Sequence, residues 1–269
     1  MTKSGNIATT ASKKEKSMVP AVEKALDVLE LLADSPSGLT MNEIVDALGR
    51  TMGEIYRVVV YLADRGYLRQ DEETNRYALT LQLFELSHRH DPTERLIQAA
   101  LPMLERISAR SMQSCHLGVL NRENILVLAS VQSPLPAGYA VRTGALFPVE
   151  QTSSGHVILA FSADDVQKRY IARLPTKAQK KTKERLARIR MDGFEDTPSK
   201  MVSGVRNLCV PVFDSRGVTA AITSGFIAQT KETASAAETL STIRVTAAEL
   251  SKSLGFQISS SPFEAALTV

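Results

Sequence analysis

The sequence predicts an α+β chain: an N-terminal winged helix-turn-helix, then linking helices, then a larger domain on a central antiparallel sheet. Three observations carry this. Thr40–Gly66 holds a capped helix, the tight turn "GRTMG" and a second helix, with an apolar helix ahead of them. Two short extended runs around an acidic turn follow directly and read as a hairpin wing. From Cys115 the texture changes to strands paired across polar turns and separated by helical stretches.

The first helix is expected from Pro20, a favoured first-turn residue, to about Ala33. Val22, Ala25, Leu26, Leu29 and Leu32 recur at three- and four-residue steps and form its apolar stripe. The second helix opens on a capping box, Thr40 with Glu43, and buries Met41, Ile44, Val45 and Leu48 before Gly49 supplies a left-handed stop. The third starts near Gly53, turns Ile55, Val58, Val59 and Leu62 inward, and stops at Gly66. Extended runs Tyr67–Gln70 and Arg76–Leu79 complete the wing.

That arrangement leaves Thr51, Met52, Gly53, Glu54, Tyr56, Arg57 and Val60 facing outward at the start of the third helix. A helix in the major groove uses such residues on base edges, Arg on guanine, Glu on the cytosine amino group and apolar groups on the thymine methyl. Arg57 and Tyr56 also suit phosphates, and Thr40 and Arg76 flank them on the second helix and the wing. Residues 1–79 carry ten Lys and Arg against twelve Asp and Glu, so non-specific affinity should be modest. A dimer presenting two such helices, helped by a lysine-bearing arm, compensates through effective concentration. A helical protein-interaction domain is the alternative.

Composition sets wider bounds. The 269 residues suit two domains, and 43% apolar with 23% charged residues is ordinary globular composition. A net charge of +3 permits nucleic-acid contact without arguing for it. Cys115 and Cys209 form no C-x-x-C pair, so no metal site or disulfide scaffold is expected and a reducing cytoplasm fits. No apolar run approaches the ~20 residues that span a bilayer, and the N-terminus lacks the apolar core of a secretory signal. The divisions expected are a disordered basic arm at 1–18, the winged domain at 19–80, linking helices at 81–113, a second domain at 114–258 and a tail at 259–269.

In the linking region Pro102 should kink a helix striped by Leu96, Ala99, Ala100, Met103, Leu104 and Ile107. It reads equally as a spacer or as a transmitter between domains. Strands are expected at "CHLGVL", "NILVLASV" and "AGYAVRTG", and a hairpin at "GVRNLCVPVF" and "VTAAITSGFI". "TSSGHVILAF" reads as a helix capped by Thr152 or Ser153, an anion-friendly N-terminus. The lysine-rich stretch "KAQKKTKERLARIR" reads as a solvated helix face, because no aromatics interleave. The last helix carries Ala236, Leu240, Ile243, Ala247, Leu250 and Leu254 inward.

"AVEKALDVLELLADSPSGLTMNEIVDALG" with "VVVYLADRGYLRQDEETNRYAL", and later "TSSGHVILAF" with "VPVFDSRGVTAAITSG", resemble the IclR family of bacterial transcriptional regulators over roughly Val19 to Leu254. The resemblance implies a GAF-like sensor domain, a dimer or tetramer, double-stranded operator DNA and a small organic or aromatic acid as effector. It carries Gly155, Val205, Asn207, Thr223 and Gly225 over as effector-site residues, with Ser154 offering a hydroxyl beside Gly155. Arg142 is a candidate partner for a carboxylate. Cys209 either extends this wall or is a small buried hydrophobe, and His116 and His156 read as structural.

Three departures stand out. "TMGEIYR" lacks the basic residue that often opens the family's recognition helix, Ser199 and Lys200 replace acids, and Asn207 stands where Cys is common. A repressor relieved by ligand is the first expectation and ligand-assisted activation the second. A hydrolase using Ser153 or Ser154 with His156 is a third class. It lacks both the G-x-S-x-G elbow and an acid placed by motif, so no enzyme, cofactor or metal is expected.

Overall fold

The computed structural model describes residues 19–88, 93–229 and 234–257, so the expected arm (1–18) and tail (259–269) lie outside the described residues. The chain divides into two compact units, Met1–Asp91 and Pro92–Val269.

The first unit runs α1 (Pro20–Ala33), β1 (Leu39–Thr40), α2 (Met41–Leu48), α3 (Met52–Asp64), β2 (Leu68–Gln70), β3 (Arg76–Leu79) and α4 (Gln82–His88). Its core gathers Val28, Leu32, Ile44, Ile55, Val59 and Leu62 with Leu68 and Tyr77 of the wing. The Thr40 amide donates to Glu43 at 2.8 Å and the Glu43 amide to Thr40 Oγ1 at 3.4 Å, the expected box. A second, unforeseen cap starts α3, where the Thr51 amide donates to Glu54 at 3.1 Å. Gly49 turns left-handed at φ 59°, and Arg50 ties the α2–α3 turn to α1 through Asp27 at 2.8 Å and Glu23 at 3.3 Å. The wing is a three-stranded antiparallel sheet in the order β1-β3-β2, because Leu39 and Thr40 add a strand that the sequence did not suggest.

The stripe expected on α1 is only half right. Val28, Leu32, Ala25 and Leu29 face the core, whereas Val22 and Leu26 are exposed. Leu26 follows Ala25 by about 100° around the axis, enough to carry it off the buried face.

The second unit contains α5 (Glu94–Ser111), β4 (Cys115–Asn121), β5 (Asn124–Val131), β6 (Leu146–Pro148) and a 3-10 turn (Val149–Gln151). It continues with α6 (Ser153–Phe161), α7 (Asp164–Arg173), α8 (Thr176–Asp192), β7 (Glu195–Pro198), β8 (Arg206–Asp214), β9 (Gly217–Phe226) and α9 (Ala236–Ser253). The sheet is antiparallel throughout, in the order β6-β5-β4-β9-β8-β7.

Both its faces are covered, which explains the near-continuous apolar runs of β8 and β9. On one face α5 and α9 pack Leu104, Ile107, Ile243 and Leu250 against Leu117, Val210 and Ile222. On the other, α6 and α8 pack Val157, Phe161, Leu186 and Ile189 against Cys209, Phe213 and Ala221. Thus α5, expected as a linker, is a core helix of this unit, and it runs through the exposed Pro102 as one element.

"AGYAVRTG" forms no strand; between β5 and β6 the chain is a loop. Pro134 and Pro136 lack the amides a ladder needs, which breaks the run before it starts. Strand β7 carries no alternating apolar signal and was not anticipated.

Candidate effector cavity and nucleic-acid interface

The second unit's site is built where α6 meets the sheet. Thr152 caps α6 by accepting from the Gly155 amide at 3.0 Å. Gly155 is required by contact: a Cβ there would lie 2.4 Å from the Val149 carbonyl oxygen and 2.8 Å from Thr152 Oγ1. All nine residues of α6 are buried.

Beneath them a row of polar side chains crosses five strands in register, Ser130, His116, Thr223, Cys209 and Glu195, each opposite the next. Ser154 and Thr223 share a hydrogen bond of 2.8 Å, and the Thr223 hydroxyl reaches Cys209 Sγ at 3.0 Å. Burial pushes the Cys209 thiol up to about 12, so it stays protonated and weakly nucleophilic. The Ser154 hydroxyl is engaged with Thr223, while His156 Nδ1 faces Glu195 Oε2 at 3.6 Å, so no serine–histidine pair forms.

A cavity of about 40 Å³ lies at this junction, and Ser154, Asn207, Thr223, His116, Tyr139 and Met201 contribute to its wall. Of the residues carried over from the family, Asn207 and Thr223 line it, and so does Ser154, whose hydroxyl was the further candidate. Gly155 sits behind the wall against Val149, and Gly225 lies under the Tyr139 ring, where a Cβ would meet Cδ1 at 2.6 Å. Val205 is buried beside Gly225, and Arg142 is exposed on the loop, not on a strand as expected. His116 and Tyr139 were missed as wall residues. The signal for His116 was available, since strand alternation puts it on the opposite face from the buried Cys115 and Leu117. Tyr139 had none, because its place depends on loop closure over β9.

In the first unit Met52, Gly53, Tyr56 and Arg57 are exposed on α3, with Thr51 at its cap. Arg57 has no ion pair among the described residues. Glu54, expected to read bases, is committed within the fold: Lys24 lies 2.9 Å away, and with the Thr51 amide and hydroxyl it holds the carboxyl down at about 2. Arg76 is likewise clamped to Glu43 at 2.9 Å and to the Gly38 carbonyl at 2.8 Å, and Thr40 is spent on its cap. Arg69, exposed on β2 of the wing, is a cation that sequence reasoning passed over.

A winged helix-turn-helix followed by a cavity-bearing antiparallel sheet is the architecture of a DNA-binding transcriptional regulator. Comparison with known proteins supports that class. Residues 92–252 match the bacterial transcriptional regulator IclR C-terminal domain, and residues 21–72 match the IclR helix-turn-helix domain. The chain belongs to the IclR family of transcriptional regulators, which are not enzymes.

Among its relatives, the regulator KdgR of Escherichia coli K12 is 26% identical over 76% of this chain and 81% of its own. XynR of the same organism is 25% identical over 89% and 98%. An IclR homolog of Microbacterium hydrocarbonoxydans, solved as a complex with 4-hydroxybenzoate, shares the fold with a TM-score of 0.75 at 22% identity, covering 87% of this chain and 98% of that one. The Thermotoga maritima IclR superposes with a TM-score of 0.68 at 21% identity, over 87% and 98%.

The cavity makes one electrostatic demand on His116. Burial lowers its imidazole from the ordinary 6.5 to about 4, so it stands neutral at physiological pH. The unfolded chain takes up this proton near 6.5 and the native fold only near 4, so native stability should fall as pH drops across that window. An NMR titration of the histidine ring protons checks it; a His116 midpoint near 6.5 would contradict this burial.

Proposed function

We propose that this regulator reads double-stranded operator DNA with the exposed start of α3 and answers to a small organic, preferably aromatic, acid bound where α6 meets the sheet. In this reading it is a cytoplasmic repressor whose grip on DNA is relieved by the ligand; ligand-assisted activation is the opposite sign of the same coupling. The observation that carries the DNA half is the exposed surface of Thr51, Met52, Gly53, Tyr56 and Arg57 at the N-terminal end of a capped helix. Replacing Arg57 by Ala should cost about 1–3 kcal/mol of operator affinity. Fluorescence anisotropy on DNA from upstream of the gene measures it; unchanged affinity would remove α3's Arg57 from the interface.

The regulator acts as a homodimer, with a tetramer as a pair of dimers. In support, α1 and α3 leave Val22, Leu26 and Tyr61 more than half exposed along a mainly apolar cleft of about 890 Å³. Single apolar residues on a surface are ordinary, but a contiguous apolar cleft marks an interaction site. Leu26→Glu places a charge in that cleft and should shift the sedimentation profile toward monomer. A profile identical to the parent's would move the interface elsewhere.

The effector half rests on a self-filled pocket. Ligand sites enclose about 300–1,000 Å³, far more than the 40 Å³ open here, and the Tyr139 ring packed on Gly225 occupies part of the difference. Binding a ring-sized acid therefore requires Tyr139 to leave, a conformational cost that lowers apparent affinity. The 4-hydroxybenzoate complex of the Microbacterium homolog supports an aromatic acid as the first probe. Tyr139→Ala should bind 4-hydroxybenzoate more tightly, by up to about tenfold, as calorimetry would read. Weaker binding would instead make the ring a ligand contact.

A further inference from the structure

A second and larger cavity, about 560 Å³, lies on the far side of α6 from the effector pocket, between that helix, α7 and α8. Its volume falls in the range of small-molecule sites as it stands. Four cations stand around it, Arg173 at the end of α7, Lys181 and Arg185 one turn apart on α8, and Lys200 beyond β7, together with Glu123 and Glu150.

The charges do not cancel internally. Arg173 pairs with Glu123 and Arg185 with Glu195. Among the described residues, Lys200 donates to the Glu150 backbone carbonyl at 2.9 Å and pairs with no carboxylate, and neither does Lys181. Against these two lysines stands the single carboxylate of Glu150. Partial desolvation, then the nearby Arg185 and Lys181, lower the Lys200 ammonium against the opposing pull of Glu195 and Glu150. A guanidinium offers five donors, so one pairing with a carboxylate leaves several for a ligand.

One observation independent of charge, the Tyr170 hydroxyl, points to an occupant. His156, 5% exposed, also lines this cavity, its Nδ1 turned to Glu195 Oε2 at 3.6 Å. The Tyr170 hydroxyl, also on the wall, is buried without a hydrogen-bond partner among the described residues. A buried hydroxyl left in this state calls for a partner.

We infer that this cavity is a second ligand site, built for a compact polyanion bearing two or more carboxylate or phosphate groups. Its cations come from α7, α8 and the segment after β7, so one ligand spanning them meets more than one acceptor's worth of donors. The two cavities also share their walls. Glu150 faces this one and Gln151 the other; His156 faces this one and Ser154 the other; Lys200 faces this one while Ser199 and Met201 face the other. A polyanion seated here touches the same three backbone segments as the effector.

The test is isothermal titration calorimetry on the full chain with pyrophosphate and with citrate. Saturable binding of at least one is expected, weakened tenfold or more in Lys181→Gln/Lys200→Gln, whose exposed side chains lie outside the cores. A stronger response to pyrophosphate identifies a phosphorylated ligand, and to citrate a polycarboxylate. No saturable heat from either, or equal affinity in the double variant, overturns the site. Because neither operator nor aromatic acid enters this measurement, its failure leaves the regulator reading standing, and failure of that reading does not touch it.

Discussion

The second unit depends on how closely α6 can approach the sheet. The approach is set at Gly155, whose missing side chain lets the helix start lie against the Val149 carbonyl. It is fixed by the Ser154–Thr223 hydrogen bond beneath. A buried hydroxyl pair contributes only about 0.5–1.5 kcal/mol when made, but either partner left alone costs its full desolvation. That asymmetry pins the register of α6 on the sheet. Ser154 then falls on the side of the proposed effector pocket and His156, two residues on, on that of the second cavity. One helix start therefore partitions the unit's interior into two chambers of different character.

The same asymmetry explains the polar row that crosses the sheet. Ser130, His116, Thr223, Cys209 and Glu195 are aligned by register alone, in a layer otherwise filled by Phe213, Ala221, Ile125 and Val157. Such a row is expensive wherever it goes unsatisfied. It is answered locally: Ser154 bonds Thr223, Thr223 reaches Cys209, and Arg185 with His156 holds Glu195. For Glu195, burial pushes the carboxyl up, but His156 and Arg185 outweigh it and keep it below its ordinary range. It is thus an anion at neutral pH, and its charge is what holds Arg185 at the edge of the second cavity.

Much of this was legible in the chain, and the failures have a common cause. Capping residues, positive-φ glycines and strand alternation are local, and Thr40, Gly49, Thr152 and the shared facing of Asn207 and Cys209 were read correctly. What escaped depends on partners distant in sequence. Strand β1 exists only because β3 comes back beside it, Tyr139 reaches Gly225 only by loop closure, and Glu195 meets His156 only across the sheet and a helix. Periodicity also marks which residues are apolar better than which of them are covered, so Val22 and Leu26 were assigned to a core that does not include them.

Among the described residues of the first unit, little positive charge is available to DNA. Lys24 is paired with Glu54, Arg50 with Asp27 and Glu23, Arg76 with Glu43, and Arg65 lies over the Tyr61 ring. Among the described cations of this unit from Lys24 to Arg76, that leaves Arg57 and Arg69, one on the helix and one on the wing. Each phosphate neutralised contributes roughly one unit to the salt slope of binding, so a single copy would hold DNA weakly and with shallow salt dependence. The ion pairs consumed here orient α1, the α2–α3 turn and the wing around α3, so charge has gone into holding the reading helix rather than into gripping the backbone. Further affinity would have to come from elsewhere, and in the proposed dimer joining two copies would supply it as effective concentration without any new contact to DNA. An arrangement of that kind responds steeply to anything that alters the spacing of the paired helices. That sensitivity is what a regulator governed by a small ligand requires.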